Sequence, residues 1–127
     1  MDERRNFNTE KAPRMNGAFP QAVIAGNLIF LSGMPGINPA TGQVVSASFE
    51  DQSIQAFANI KTILEEAGSN MGKVVKVTIF MVAGNDFAIL NKVYGEVFPV
   101  EAPARSTPQV KPFPAGMLIS VECIAIL

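Results

Sequence analysis

The chain has 127 residues, ten Lys and Arg against eleven Asp and Glu, and a formal charge of −1, which suits a single domain spanning 1–127 that buries roughly two-thirds of its unfolded surface. Without clustered basic residues it lacks the charge that phosphate neutralisation needs, so nucleic acid is not an expected partner. With no His and one Cys, it excludes His/Cys zinc sites, Ser-His-Asp and Cys-His catalysis, and an internal disulfide framework.

The opening MDERRNFNTEKAPRMNG is charged and has no apolar run of the signal-peptide kind. No later stretch reaches the roughly 18 apolar residues of a membrane span. A cytoplasmic protein with no membrane partner is expected. Hydrophobic residues make up 48% and charged residues 17%, against about 25% charged in ordinary soluble domains, which leaves apolar surface for an oligomer.

In chain order, the apolar runs 22–25 and 28–33 flank Gly26-Asn27, a pair that tolerates positive φ and predicts a hairpin. Asn38 to Gly42 is dense in turn formers, and Gln43-Val44-Val45 supplies a short strand. Ser48-Phe49-Glu50-Asp51 offers a capping box. Behind it Ile54, Phe57, Ile60, Leu64 and Ala67 recur at helical spacing until Gly68 stops the run. Val74 to Val82 predicts a strand with Val75, Val77, Ile79 and Met81 on its core face. Asn85-Asp86 caps a second helix with Phe87, Leu90, Tyr94 and Val97 on one side, ended by Pro99. Two strands follow, Ala104–Val110 and Met117–Ile126, joined by the Pro-rich turn 111–116.

Two helices cannot cover both faces of such a sheet, so an α+β fold with both helices on one face is predicted. In the last strand the odd positions Met117, Ile119, Val121, Cys123 and Ala125 are all apolar and suit the helices. The even face, with Leu118, Ser120, Glu122, Ile124 and Ile126, resembles a subunit interface that carries a polar site. The same alternation groups Arg105, Thr107 and Gln109 on one face.

Arg105 is the only arginine after Arg14 and has small, mostly apolar neighbours. Its planar fork grips a carboxylate bidentately, so its isolation implies an anionic partner, either a ligand or an acid of the protein such as Glu122. Glu122, flanked by Val121, Cys123 and Ile124, is correspondingly either a general base or an interface acid. Cys123 reads as a small buried hydrophobe rather than a nucleophile. Gly33, at a strand end, allows close backbone approach or simply a bend. The methionines are scattered and read as core filling.

The segments Gly26-Asn27-Leu28-Ile29-Phe30-Leu31-Ser32-Gly33, Ile37-Asn38-Pro39-Ala40-Thr41-Gly42, Pro103-Ala104-Arg105-Ser106 and Val121-Glu122 resemble the Rid family, the reactive intermediate deaminases. The resemblance covers nearly the whole chain, from about Lys11 to Ile126. It implies a chorismate-mutase-like α+β fold, a mixed sheet with two helices on one face, and a homotrimeric barrel with clefts between subunits for small carboxylates. It also implies that Arg105 binds the substrate carboxylate, Glu122 positions water, backbone groups at Gly33 contact the imine nitrogen, and Asn91 lines the cleft. The implied reaction is hydrolysis of a 2-imino acid, of the 2-aminoacrylate kind, to a 2-keto acid and ammonia, without metal or organic cofactor. Thr107 stands where the family usually has cysteine, and Phe19 where it has tyrosine. Both are read as substrate-binding positions, and Phe19 gives a hydrophobic wall suited to a larger or more apolar imino acid. The competing reading is a trimer of the same fold that binds a small carboxylate without turnover. An RNA-acting protein receives little support from the charge.

Overall fold

The computed structural model describes residues 3–15 and 17–127. Its elements are β1 (Arg4–Phe7), β2 (Ala22–Ala25), β3 (Leu28–Leu31), α1 (Phe49–Glu66), β4 (Val74–Val82), α2 (Phe87–Val97), β5 (Ala104–Ser106), β6 (Gln109–Val110) and β7 (Ile119–Ile126). One mixed sheet has the order β1-β2-β3-β7-β4-β5, with β6 continuing alongside β4. Strands β5 and β6 run parallel to β4, whereas the other pairs are antiparallel.

The predicted hairpin forms at β2–β3, and Gly26 supplies the positive φ of 59° that its turn requires. Helix α1 starts where the cap residues place it, because Ser48 Oγ accepts the Asp51 N–H at 3.2 Å. Asp86 caps α2 by accepting the Ala88 N–H at 2.8 Å. Between the helices Phe57 meets Tyr94 and Phe98 edge to face, and Tyr94 and Phe98 lie tilted against each other, with ring centroids 5.0–6.1 Å apart, the spacing at which aromatic quadrupoles attract. The odd residues of β7 face this layer, since Ile119, Val121, Cys123 and Ala125 are all buried. Both helices therefore cover one face.

The structure corrects several local expectations. Val75 is exposed and Val74 takes its place in the core, because the β4–β7 register shifts between Val74 and Lys76, and a bulge reverses which side chains face inward. Ile54 lies on the outer side of α1 and is exposed, whereas the polar Gln52, Ser53 and Asn59 are buried. Phe87 is largely exposed, and Val93 is the buried residue of α2 that the spacing argument missed. The strand expected over 104–110 is two short strands separated by Thr107-Pro108, since Pro108 has no N–H to donate. Residues 43–45 contribute only the isolated bridge of Ile37 with Val44. The run 28–33 stops pairing as a strand at Leu31, and β7 starts at Ile119 rather than Met117. Strand β1, paired to β2, was unexpected: its RRNF sequence is exposed and shows no apolar alternation.

Gln52 explains why a polar residue occupies the inner side of α1. Its amide nitrogen donates to the carbonyls of Ser46 at 2.8 Å and Gly116 at 3.1 Å, while its oxygen accepts the Leu118 N–H at 2.8 Å. It thereby ties the start of β7 to the helix. Gln52→Ala leaves these backbone groups without partners, at about 1–3 kcal/mol for each one that stays buried, so urea unfolding should show a loss of about 3 kcal/mol or more.

Candidate active site

Arg105 is positioned by β5, whose parallel pairing sets it beside Val77, a core residue, so its side chain lies on the helix-covered face. Phe87, Asn91 and Tyr94 follow one another at spacings of four and three on α2 and form a single stripe there. The guanidinium carbon lies 4.6 Å from the Tyr94 ring centroid and 5.4 Å from that of Phe87, a stacking that adds about 0.5–2 kcal/mol. Its Nε–H donates to Thr107 Oγ1 at 2.6 Å, and Nη2 donates to Asn91 Oδ1 at 2.9 Å. Burial pushes the Tyr94 phenol above its usual range, and the Arg105 charge opposes this more weakly. No acidic side chain pairs with Arg105 among the described residues. Nη1 makes no hydrogen bond among them either. A fixed cation with an open edge is a carboxylate receptor in waiting.

Glu122 occupies the other face. It pairs with Thr78 and is exposed, whereas Arg105 is level with Val77. Within one chain Arg105 and Glu122 form no ion pair, because the sheet lies between the two side chains. Glu122 shares the open face with Ser120 on β7 and, through the pairing of Thr78 with Ser106, with β5. Lys76 Nζ donates to Ser106 Oγ at 2.9 Å on this same face.

Gly33 belongs with Glu122. The β3–β7 register pairs Phe30 with Ile124 but then Met34 with Val121, so one extra residue is accommodated on the β3 side and the chain bulges there. Neither the N–H nor the C=O of Gly33 has a hydrogen-bond partner among the described residues, while Met34 exchanges both bonds with Val121. A Cβ at Gly33 would sit 2.5 Å from Ser120 Oγ. Phe19, 49% exposed, reaches the same end of β3, because Ser32 Oγ donates to the Pro20 carbonyl at 2.8 Å and Ser32 N–H to that of Gln21 at 2.9 Å.

The predicted residues thus fall into two half-sites: Arg105, Asn91 and Thr107 on the helix side, with Gly33 and Glu122 on the open side; Phe19 precedes the Pro20 and Gln21 carbonyls that hold Ser32, next to Gly33 in the chain. Sequence reasoning had assigned no site role to Tyr94, Phe87 or Ser120. The α2 spacing could have signalled the first two, but nothing local marks Ser120. No group of three or more His, Cys, Asp or Glu with metal-binding geometry occurs among the described residues.

Cys123 is buried, and desolvation, helped by the Glu122 charge, pushes its thiol up to about 12. The thiol should resist a disulfide reagent in the native protein at about pH 8 and react once the chain is unfolded, because only the thiolate is nucleophilic. A thiol raised in the folded state contributes stability that is complete below its unfolded value of about 8.5. That contribution should decline as pH rises toward 12, the folded value.

A family model described as Endoribonuclease L-PSP matches residues 9–127. The Arabidopsis thaliana protein named Reactive Intermediate Deaminase A, chloroplastic, is 46% identical over 120 residues, covering 94% of this chain and 64% of that protein's length. The chain belongs to the Rid family. Another Rid relative, from Dermatophagoides farinae and named 2-iminobutanoate/2-iminopropanoate deaminase, is 39% identical over 127 residues, which is 100% of this chain and 99% of the other. The crystal structure of RidA from the Antarctic bacterium Psychrobacter sp. PAMC 21119 superposes with a TM-score of 0.91 at 36% identity, covering 97% of this chain and 99% of that one. The α+β architecture with two helices on one face of a mixed sheet is thus the Rid fold. The name of the plant relative places that protein in chloroplasts, so the Rid family is not confined to the cytoplasm. No helix among the described residues is long and apolar enough to cross a membrane.

Proposed function

We propose that this Rid protein hydrolyses small 2-imino acids and their enamine tautomers to 2-keto acids and ammonia, in clefts between the subunits of a homotrimer. The observation that carries the reading is Arg105: a guanidinium with no acidic partner among the described residues, oriented by Thr107, Asn91, Tyr94 and Phe87, with Nη1 open among them. Such a group binds the carboxylate common to these substrates. Because Arg105 and Glu122 lie on opposite faces of one sheet, the two half-sites meet only if the open face of one subunit abuts the β5 edge of another. Exposed Phe30 and Ile126, with half-buried Ile124, form the kind of apolar surface that such an assembly covers.

In this arrangement Arg105 holds the carboxylate, and the Gly33 backbone contacts the imine nitrogen. Glu122 takes a proton from water as the water oxygen bonds to the imine carbon, and passes that proton to the imine nitrogen, which gives a neutral carbinolamine. The same carboxylate then carries the hydroxyl proton to the amine, so the C–N bond breaks, ammonia leaves and the carbonyl remains. The imine is already electrophilic, so positioning and charge stabilisation suffice. Phe19 supplies an apolar wall that favours substrates larger than the 2-aminoacrylate class.

The test generates 2-aminoacrylate in situ with a dehydratase and follows pyruvate and ammonia with and without the protein, alongside light scattering at micromolar concentration. Faster release and a trimeric mass are expected. Binding of a 2-keto acid without faster release would replace this reading with a carboxylate-binding trimer, and a monomeric mass would remove the shared cleft.

A further inference from the structure

Ser120 borders Gly33 in the open half-site, two residues before Glu122 on β7, and has no role in the mechanism above. It stands on the same face of β7 as Glu122, where the strand rise puts alternate residues about 6.7 Å apart. It is half-buried, and its Oγ would be 2.5 Å from a Cβ at position 33. Glycine there keeps the hydroxyl uncovered. Among the described residues Ser120 Oγ hydrogen-bonds to nothing, and neither does the Gly33 N–H. One water bonded at about 2.8 Å on each side spans at most about 5.6 Å, and about 4.6 Å at a tetrahedral angle, a gap that a longer carboxylate side chain two positions from a hydroxyl can close.

We propose that Ser120 is a further substrate-site residue whose Oγ holds the attacking water, with Glu122 taking the proton. Water binds by two groups with separate tasks: Ser120 fixes the oxygen and Glu122 changes its protonation. Gly33 is required for space as well as for its backbone, because a methyl group there would cover Oγ. This inference rests on the imine hydrolysis proposed above.

The experiment compares the parent, Ser120→Ala, Ser120→Thr and Gly33→Ala in the coupled 2-aminoacrylate assay, together with thermal unfolding. For Ser120→Ala, kcat should fall about tenfold, the worth of one hydrogen bond, with KM unchanged because Arg105 still holds the carboxylate. Ser120→Thr keeps the hydroxyl and should recover most of that loss. Combining Gly33→Ala with Ser120→Ala should cost less than the product of the single effects, since both remove the same hydroxyl from the cleft. A Ser120→Ala protein with parental kcat overturns the proposal while leaving imine hydrolysis intact. An equal loss in Ser120→Thr, or a loss accompanied by a lower unfolding temperature, makes Ser120 a packing residue and also overturns it. A parent protein without turnover overturns both readings together.

Discussion

Arg105→Ala is expected to lower kcat/KM by at least about a hundredfold, the order of loss that follows when a substrate is no longer held in reacting geometry. The fold should survive. A buried arginine paired with an acid would strand that acid on removal, at a cost of about 3–5 kcal/mol, but no acidic side chain among the described residues pairs with Arg105. What disappears is its stacking on Tyr94 and Phe87, about 0.5–2 kcal/mol, together with its bonds to Thr107 and Asn91. Arg105→Lys keeps the charge without the planar fork and should recover little activity. Steady-state kinetics beside thermal unfolding tests this, and retained turnover or a collapse of stability would assign Arg105 a structural role instead.

Glu122→Gln should lower kcat by roughly 10²–10⁴, the usual contribution of a positioned general base. The amide keeps the size and hydrogen-bonding reach of the side chain but cannot take the proton from water. Binding of a product-like 2-keto acid should persist, because the carboxylate is held by Arg105 on the other half-site. Calorimetric titration with 2-oxobutyrate beside the coupled assay separates the two functions in one variant. Parental turnover would leave Glu122 as an interface acid.

Much of the fold was legible because its signals are local. Ser48 and Asp86 begin α1 and α2 as cap chemistry requires, and Gly26 turns the β2–β3 hairpin. The odd positions of β7 are apolar throughout and all of those within the strand are buried. Local reasoning failed where pairing partners decide. Val75 has the composition of a core residue, but the bulge after Val74 turns it outward. Arg4–Phe7 becomes a strand only because β2 offers it an unpaired edge. Gln52 and Asn59 look like surface residues of α1 until the loops whose carbonyls they bind are in place.

The site divides in the same way. Arg105 and Glu122 were singled out from chemistry: one is an isolated guanidinium, and the other is a lone acid on an otherwise mostly apolar strand face. Their residue types and the alternation of their strands are properties of the sequence, as is the helix-facing parity of β7. Which side of the sheet each one faces depends on the pairing of β4 with β5 on one edge and β7 on the other, which sets Arg105 level with Val77 and Glu122 level with Thr78. Neighbouring strand positions point to opposite faces, so a register choice made between segments distant in the chain separates the two groups. The same tertiary choices bring Tyr94 beneath the guanidinium and Ser120 against Gly33, the second a contact between residues far apart in the sequence that no local pattern specifies.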